Sequence, residues 1–201
     1  FFKSFYFKIT NKKKYLTNEN NKINVFRDKI NFDSQKNFYD FQENNPLNTC
    51  VKLIAFYLPQ FHPFPENDLF WGKGFTEWTN VTRAKSQHEN HNLPNLPKDL
   101  GFYDLRIPEV IFQQSKLAKN YGIDAFCFYF YWFNGKVLME KPLENFINNK
   151  NIDLNFCLSW ANENWTRSWD GLENEVLLEQ KYSEEDSINF LIHISKYFKD
   201  P

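Results

Sequence analysis

The run IDAFCFYFYWF, from Ile123 to Phe133, does most to limit what this chain can become. It is far too short to cross a bilayer, and no face of it is polar. Near-continuous apolarity of this kind marks a strand buried on both sides, which is the situation of a parallel sheet. Parallel strands need long crossover connections, usually helical, so the flanking sequence must supply helices.

The flanks meet that demand. VKLIAFYLP, Val51 to Pro59, reads as a first strand, stopped where proline cannot continue a central ladder. A helix is expected from Pro108, acceptable in a first turn, with Glu109 near its start, Lys116 and Lys119 near its end and Gly122 as its stop. A second helix is expected over about Leu138 to Asn148 and a third strand over Asp153 to Trp160. Ser183 followed by Glu184, Glu185 and Asp186 reads as a capped helix start, with the helix running to about Phe198. Residues 60–106 read as one long irregular loop, a length that in compact domains is mostly functional.

Strand, loop and helix thus repeat three times, which implies right-handed βαβ units. No glycine-rich phosphate turn follows any strand, which favours a barrel over a doubly wound sheet. The expected fold is α/β: a partial TIM-type (β/α) barrel of about three βα units with an irregular N-terminal tail. Period-two alternation places Ala55, Tyr57, Cys127, Tyr129, Tyr131, Cys157 and Ser159 on the inward face. Phe126, Phe128, Phe130, Phe156 and Leu158 then face the helices.

With 201 residues there is room for one domain, or one domain and a tail. Residues 1–49, rich in Asn, Lys and Phe and without glycine, read as a linker or the remnant of a preceding region; residues 50–201 read as the N-terminal part of a glycan-active barrel domain. A net charge of −1 and scattered basic residues argue against nucleic acid or an acidic membrane as partner. FFKSFYFKIT lacks the order of a secretion signal, so a cytoplasmic location is expected. Cys50, Cys127 and Cys157 lack metal-ligand spacing and read as reduced structural thiols; no metal and no cofactor are expected. The first residue is Phe1 and the last, Pro201, follows a helical pattern, so a piece of a longer protein is expected.

Chemistry concentrates at strand ends. SWANENWTRSWDG, Ser159 to Gly171, follows the third strand with three tryptophans, two amides and two carboxylates. Indole faces suit the C–H face of a pyranose, and amides and carboxylates suit its hydroxyls. Glu163 is the catalytic candidate, set between Asn162 and Asn164 and flanked by Trp160 and Trp165; the bland alternative is a surface loop residue. The first loop adds Glu77 beside Trp78, and also Trp71 and His62. Trp71 and Trp78 could equally form that loop's own small core, and His62 could be a loop hydrogen-bonder. Tyr57 and Tyr131 complete the expected substrate-binding set. Asp170 reads as a turn residue, and Arg167 alone specifies no ligand. There is no GxGxxG, Walker loop, GxSxG elbow or Asp-x-Asp pair, which leaves carboxylates as the credible catalysts.

The segments AFYLPQFHPFPEND, FWGKGFTEWTNV, DLGFYDLR, YGIDAFCFYFYWFNGK, FCLSWANENWTRSWDG and VLLEQKYS, covering about residues 51–183, resemble in that order the WbsX-type family of glycosyltransferases. That resemblance implies bacterial lipopolysaccharide or surface-polysaccharide biosynthesis, often as one module of a larger chain. The family is also similar to endo-α-mannosidase-type glycoside hydrolases, which implies a (β/α) barrel with carboxylates at its C-terminal mouth. A segment resembling NxWNEWxEG, whose two glutamates align with the catalytic pair of those hydrolases, is not in this sequence. The main acid and base are therefore expected outside it, and the piece alone is expected to be inactive. The expected partner is an oligosaccharide or polysaccharide, with a sugar-nucleotide donor if the reaction is transfer. An endo-acting, mannosidase-like hydrolase and a non-catalytic sugar-binding module are the alternatives.

Overall fold

The computed structural model describes residues 42–44, 50–88, 91–167 and 172–199. The described residues from Gln42 to Arg83 and from Leu96 to Lys199 belong to one compact unit, and those between Ala84 and Asn95 to another. In the latter, the His88 and His91 rings stack at 4.9 Å. The stretch read as a linker lies outside the described residues apart from 42–44. There the Gln42 carbonyl and the Asn44 N–H both bond the Asn120 side chain. No helix among the described residues is long and apolar enough to cross a membrane.

The larger unit is mixed α/β. Strand β1 (Ile54–Tyr57) pairs in parallel with β2 (Ala125–Phe133), and β2 pairs in parallel with β4 (Asn155–Trp160). The expected two-sided burial of β2 follows from this central place. A short β3 (Lys136–Leu138) folds back antiparallel on the end of β2. Asn134 and Gly135 make the turn, both with positive φ (47° and 89°), as a two-residue hairpin of primed type requires. A separate hairpin joins β5 (Trp165–Arg167) and β6 (Leu172–Leu178). Among the described residues the sheet is open rather than closed into a barrel.

The loop expected over residues 60–106 holds two short helices, α1 (Pro65–Trp71) and α2 (Glu77–Arg83). Each has only two turns, and neither carries the sustained apolar period that marks a longer helix in sequence. Helix α3 (Pro108–Asn120) starts on its proline as expected, and Gly122 follows it at φ 83°. Helix α4 (Lys141–Asn148) begins later than its expected start because β3 takes Leu138. Helix α5 (Glu184–Ser195) has the expected cap: the Ser183 hydroxyl oxygen accepts the Asp186 N–H at 3.0 Å. A 3₁₀ turn, Tyr197–Lys199, closes the chain's described part.

Phe126, Phe128, Phe130 and Trp132 project alternately from β2 to one side, where Ile111 of α3, Leu143 and Phe146 of α4 and Phe190 of α5 complete the main core. Burial of each such large apolar side chain stabilises the fold by about 1.5–3 kcal/mol. The Trp132 indole also donates to the buried Asp186 carboxylate at 2.9 Å, which fixes α5 against the sheet.

On the other face Cys127 lies in register with Cys157, and Tyr129 with Ser159, as the alternation implies. The Cys127 thiol is pushed up to about 11 by burial and by its hydrogen bond to Cys157. Strand β1 is one residue out of the expected phase. Tyr57 is partnered with Phe128, its ring lies 4.6 Å from that ring, and its hydroxyl donates to Gln114 of α3 at 2.5 Å. Tyr57 therefore faces the helices, and Phe56 takes the opposite face, 68% exposed and stacked on Tyr129 at 5.4 Å. Only four residues of β1 are in the ladder, too few for an alternation count to fix its phase.

Candidate functional site

The C-terminal end of β2 carries Tyr131, 5% exposed, whose hydroxyl accepts the Gln60 side-chain amide at 2.7 Å. Gln60 stands just past β1, so this bond ties two adjacent strand ends. Burial pushes the Tyr131 hydroxyl up to about 12, and the charges of Tyr129, Glu77 and Glu163 push in the same direction against the Gln60 bond. Both carboxylates named from sequence therefore act on one phenol. A hydroxyl so placed stays protonated at neutral pH and serves as a hydrogen-bond donor.

Glu77 opens α2 and is partly buried, and burial raises its carboxyl above the usual range. Glu163, in the turn after β4, is exposed. Trp165 packs edge-to-face on Tyr131 at 5.5 Å and on Phe133 at 5.9 Å, and its ring lies 6.1 Å from Phe64. Tyr131, Glu77, Glu163 and Trp165 thus come together with Gln60, which sequence reasoning passed over. The signal was available: Gln60 is the polar residue that directly follows the strand-ending Pro59.

The β5–β6 hairpin is held to this rim by Gln180. Its side-chain N–H groups donate to the Trp132 carbonyl at 2.9 Å and the Ala161 carbonyl at 3.2 Å, and its backbone N–H goes to the Asn164 side-chain oxygen at 2.6 Å. One of the amides expected to bind sugar is thereby a staple of the loop. The Tyr182 hydroxyl donates to the Asn162 carbonyl, leaving the Asn162 side chain at an exposed position of the same turn.

Other expected contacts lie elsewhere. Trp160 turns to the helix layer, stacked on Phe190 at 4.6 Å with its indole N–H on the Trp132 carbonyl. Its register partner Phe130 is a core residue, so strand alternation dictates this side. Trp78 builds the first loop's own small core with Phe61 and Tyr103, and its indole donates to the Tyr103 carbonyl at 2.9 Å. Trp71 packs near Phe75 and under the Arg167 guanidinium, 5.4 Å from its ring centroid. Arg167 also pairs with Glu175 at 3.1 Å. His62 is 3% exposed, and burial is the main cause of its lowered proton affinity. Asp170 lies outside the described residues. Among the described residues no three His, Cys, Asp or Glu side chains converge in a way that could hold a metal ion.

The rim therefore offers a neutral phenol, a carboxyl whose proton affinity burial raises, an exposed acidic side chain and an indole around one strand end. Such a set can hydrogen-bond a polyhydroxylated ligand and exchange protons with it. Two curated relatives, WxcX of Xanthomonas campestris pv. campestris strains B100 and ATCC 33913, are each 56% identical to this chain over 156 residues. The match covers 78% of the chain but only 22% of each relative, so the chain spans about a fifth of their length. No solved structure matches. Residues 53–201 match the family described as glycosyltransferase WbsX, and the chain belongs to that family.

Proposed function

We propose that this chain is part of a carbohydrate-active enzyme that transfers glycosyl units in the synthesis of a surface polysaccharide or lipopolysaccharide, working in the cytoplasm. The carrying observation is Tyr131 at the C-terminal end of a parallel strand, with Trp165 edge-to-face on it at 5.5 Å, the Gln60 amide on its hydroxyl at 2.7 Å, and the Glu77 and Glu163 charges acting on that hydroxyl. Ligand sites of β/α folds occupy that end. In this reading residues 50–201 are the opening βα units of a barrel and residues 1–49 a linker. Two features support the barrel: its parallel strands lie in sequence order, and the core helices cover one face of β2 while Phe56 on the other face is exposed. A doubly wound sheet would carry helices on both faces.

Glu163 binds hydroxyls or assists the reacting centre, Tyr131 donates to a sugar oxygen, and Trp165, with Trp71 farther out, offers aromatic surface. The whole protein takes an oligosaccharide or polysaccharide as acceptor and a sugar nucleotide as donor. Its full carboxylate machinery is completed by residues beyond this set, and the chain alone is inactive.

One observation favours glycoside hydrolysis as a second reading. The raised Glu77 carboxyl has the character of the general acid that protonates a leaving oxygen. Incubating the full-length protein with polysaccharide and, separately, with sugar nucleotides separates the readings. Release of oligosaccharide without any nucleotide donor removes the transferase, and inactivity toward both substrates leaves a sugar-binding module.

A further inference from the structure

Strand register brings two thiols together. Cys127 of β2 and Cys157 of β4 are partners in the parallel ladder, so their side chains leave the sheet side by side on the face opposite the main core. A hydrogen bond joins them, and both are partly buried rather than sealed. Read singly, each is a small apolar filler. As a pair on the face that the helices leave open, they form a chelating dithiol.

The surroundings of the pair select the ligand. Phe56 is the register partner of Cys127 on its other side, and the Phe56 ring stacks on Tyr129, two residues along the same face. Among the described residues no third His, Cys, Asp or Glu side chain joins the pair in a way that could hold a metal. Zinc in structural sites almost always takes four ligands, and calcium and magnesium take oxygen, so two thiols alone serve none of them. Soft thiolates select monovalent copper, whose filled d shell is satisfied by two collinear sulfurs.

Spacing separates the ways in which two thiols can be joined. Adjacent strands lie about 4.8 Å apart, and side chains in register project in parallel, which keeps their Cβ atoms near that separation. A disulfide needs Cβ atoms about 3.8 Å apart, so forming one here would draw the strands together. Two metal–thiolate bonds in line, each roughly 2.3 Å, span about 4.6 Å. The ladder therefore holds the thiols near the separation that a bridging ion takes.

We propose that Cys127 and Cys157 form a two-coordinate site for a soft monovalent metal ion, copper(I), bound between β2 and β4 on the face away from the helices. Binding is a proton exchange without change of oxidation state: the ion forms two Cu–S bonds, both S–H bonds break, and two protons pass to solvent. Cys127, Tyr129 and Tyr131 alternate along one face, so the ion lies roughly 13 Å down β2 from Tyr131. It ties two strands of the sheet to each other and stabilises the folded chain by mass action. The site stands independently of the glycan reading.

The test uses the Cys50→Ser chain, so that the exposed Cys50 thiol does not compete. Copper(I) is offered as its bicinchoninate complex with oxygen excluded. The chain should withdraw one equivalent of copper from the coloured complex, and its thermal unfolding midpoint should rise. Adding Cys127→Ser or Cys157→Ser should weaken capture at least about hundredfold. X-ray absorption at the copper edge of the loaded Cys50→Ser chain should show two sulfur neighbours and no nitrogen or oxygen, which decides the matter even where the serine variants fail to fold. Zinc(II) at equal concentration should not displace the copper.

The proposal is overturned if the Cys50→Ser chain takes no copper, if either added serine leaves capture unchanged, if nitrogen, oxygen or a third ligand surrounds the ion, or if zinc displaces it. Inactivity of the full-length protein toward polysaccharide and sugar nucleotides would defeat the enzymatic reading while leaving this titration untouched.

Discussion

The Trp132 indole donates to both Asp186 carboxylate oxygens, at 2.9 and 3.1 Å, across a fully buried boundary between β2 and α5. Asp186 is also the residue whose N–H the Ser183 hydroxyl caps. Trp132→Phe keeps the aromatic packing but strands a buried carboxylate. A loss of about 1–3 kcal/mol in urea unfolding is expected. Wild-type stability would mean that the bond contributes nothing to holding α5.

Trp160 tests the assignment of tryptophans to core or to ligand. Stacked on Phe190, it should behave as a packing residue: Trp160→Ala should destabilise the chain by about 3–5 kcal/mol with no sugar present. An unaltered unfolding midpoint would return Trp160 to the rim.

Glu77 gives a pH-dependent prediction. Burial raises its folded-state value, so between the ordinary value of 4.5 and the raised one the folded chain binds more protons than the unfolded chain. Its contribution to stability is thus present at low pH and falls as pH rises through that window. Glu77→Gln should match the wild type below the window and exceed it above. Parallel unfolding curves on both sides would show that Glu77 is solvated.

His62 acts in the opposite sense. Its folded-state proton affinity is lowered, with burial first among the causes and Asp104 and Arg106 acting against each other. The unfolded chain therefore binds more protons just below pH 6.5, and stability rises with pH through that region. His62→Gln should flatten this part of the stability profile, as read by thermal unfolding across mildly acid buffers.

Cys127 is partly buried and protonated, with its thiol up at about 11, whereas Cys50 is exposed. Thiolate is the reactive form, so iodoacetamide at neutral pH should label Cys50 well before Cys127. Mass spectrometry of peptides over time measures the order, and equal rates would contradict the Cys127–Cys157 contact.

The longest signals in the sequence were the ones it made legible. The apolar run of β2 revealed a central parallel strand, and its period of two assigned Phe126, Phe128 and Phe130 to the helix side because many residues share one phase. Ser183 revealed its helix through a cap that needs only local chemistry. The phase of β1 was lost because its four residues sit between Leu53 and Pro59, with apolar side chains on both faces. The Asn134-Gly135 turn was readable as a hairpin signal, but the apolar residues around it masked the return strand. Trp160 misled because composition alone does not say which way an indole points, while the alternation beginning at Phe156 does. Glu77, Glu163, Tyr131 and Trp165 were named from sequence as candidates and lie toward one strand end; Gln60 needed the pairing of β1 with β2 to bring it to Tyr131.

Gln180 joins the hairpin, the end of β2 and the turn after β4 at a single side chain. The backbone on either side of Glu163, at Ala161 and Asn164, is thereby tied to the end of β2 through one side chain. The outline of this mouth is therefore set by the fold before anything enters it, so that under the proposed reading selection among ligands would rest on fit rather than on closure.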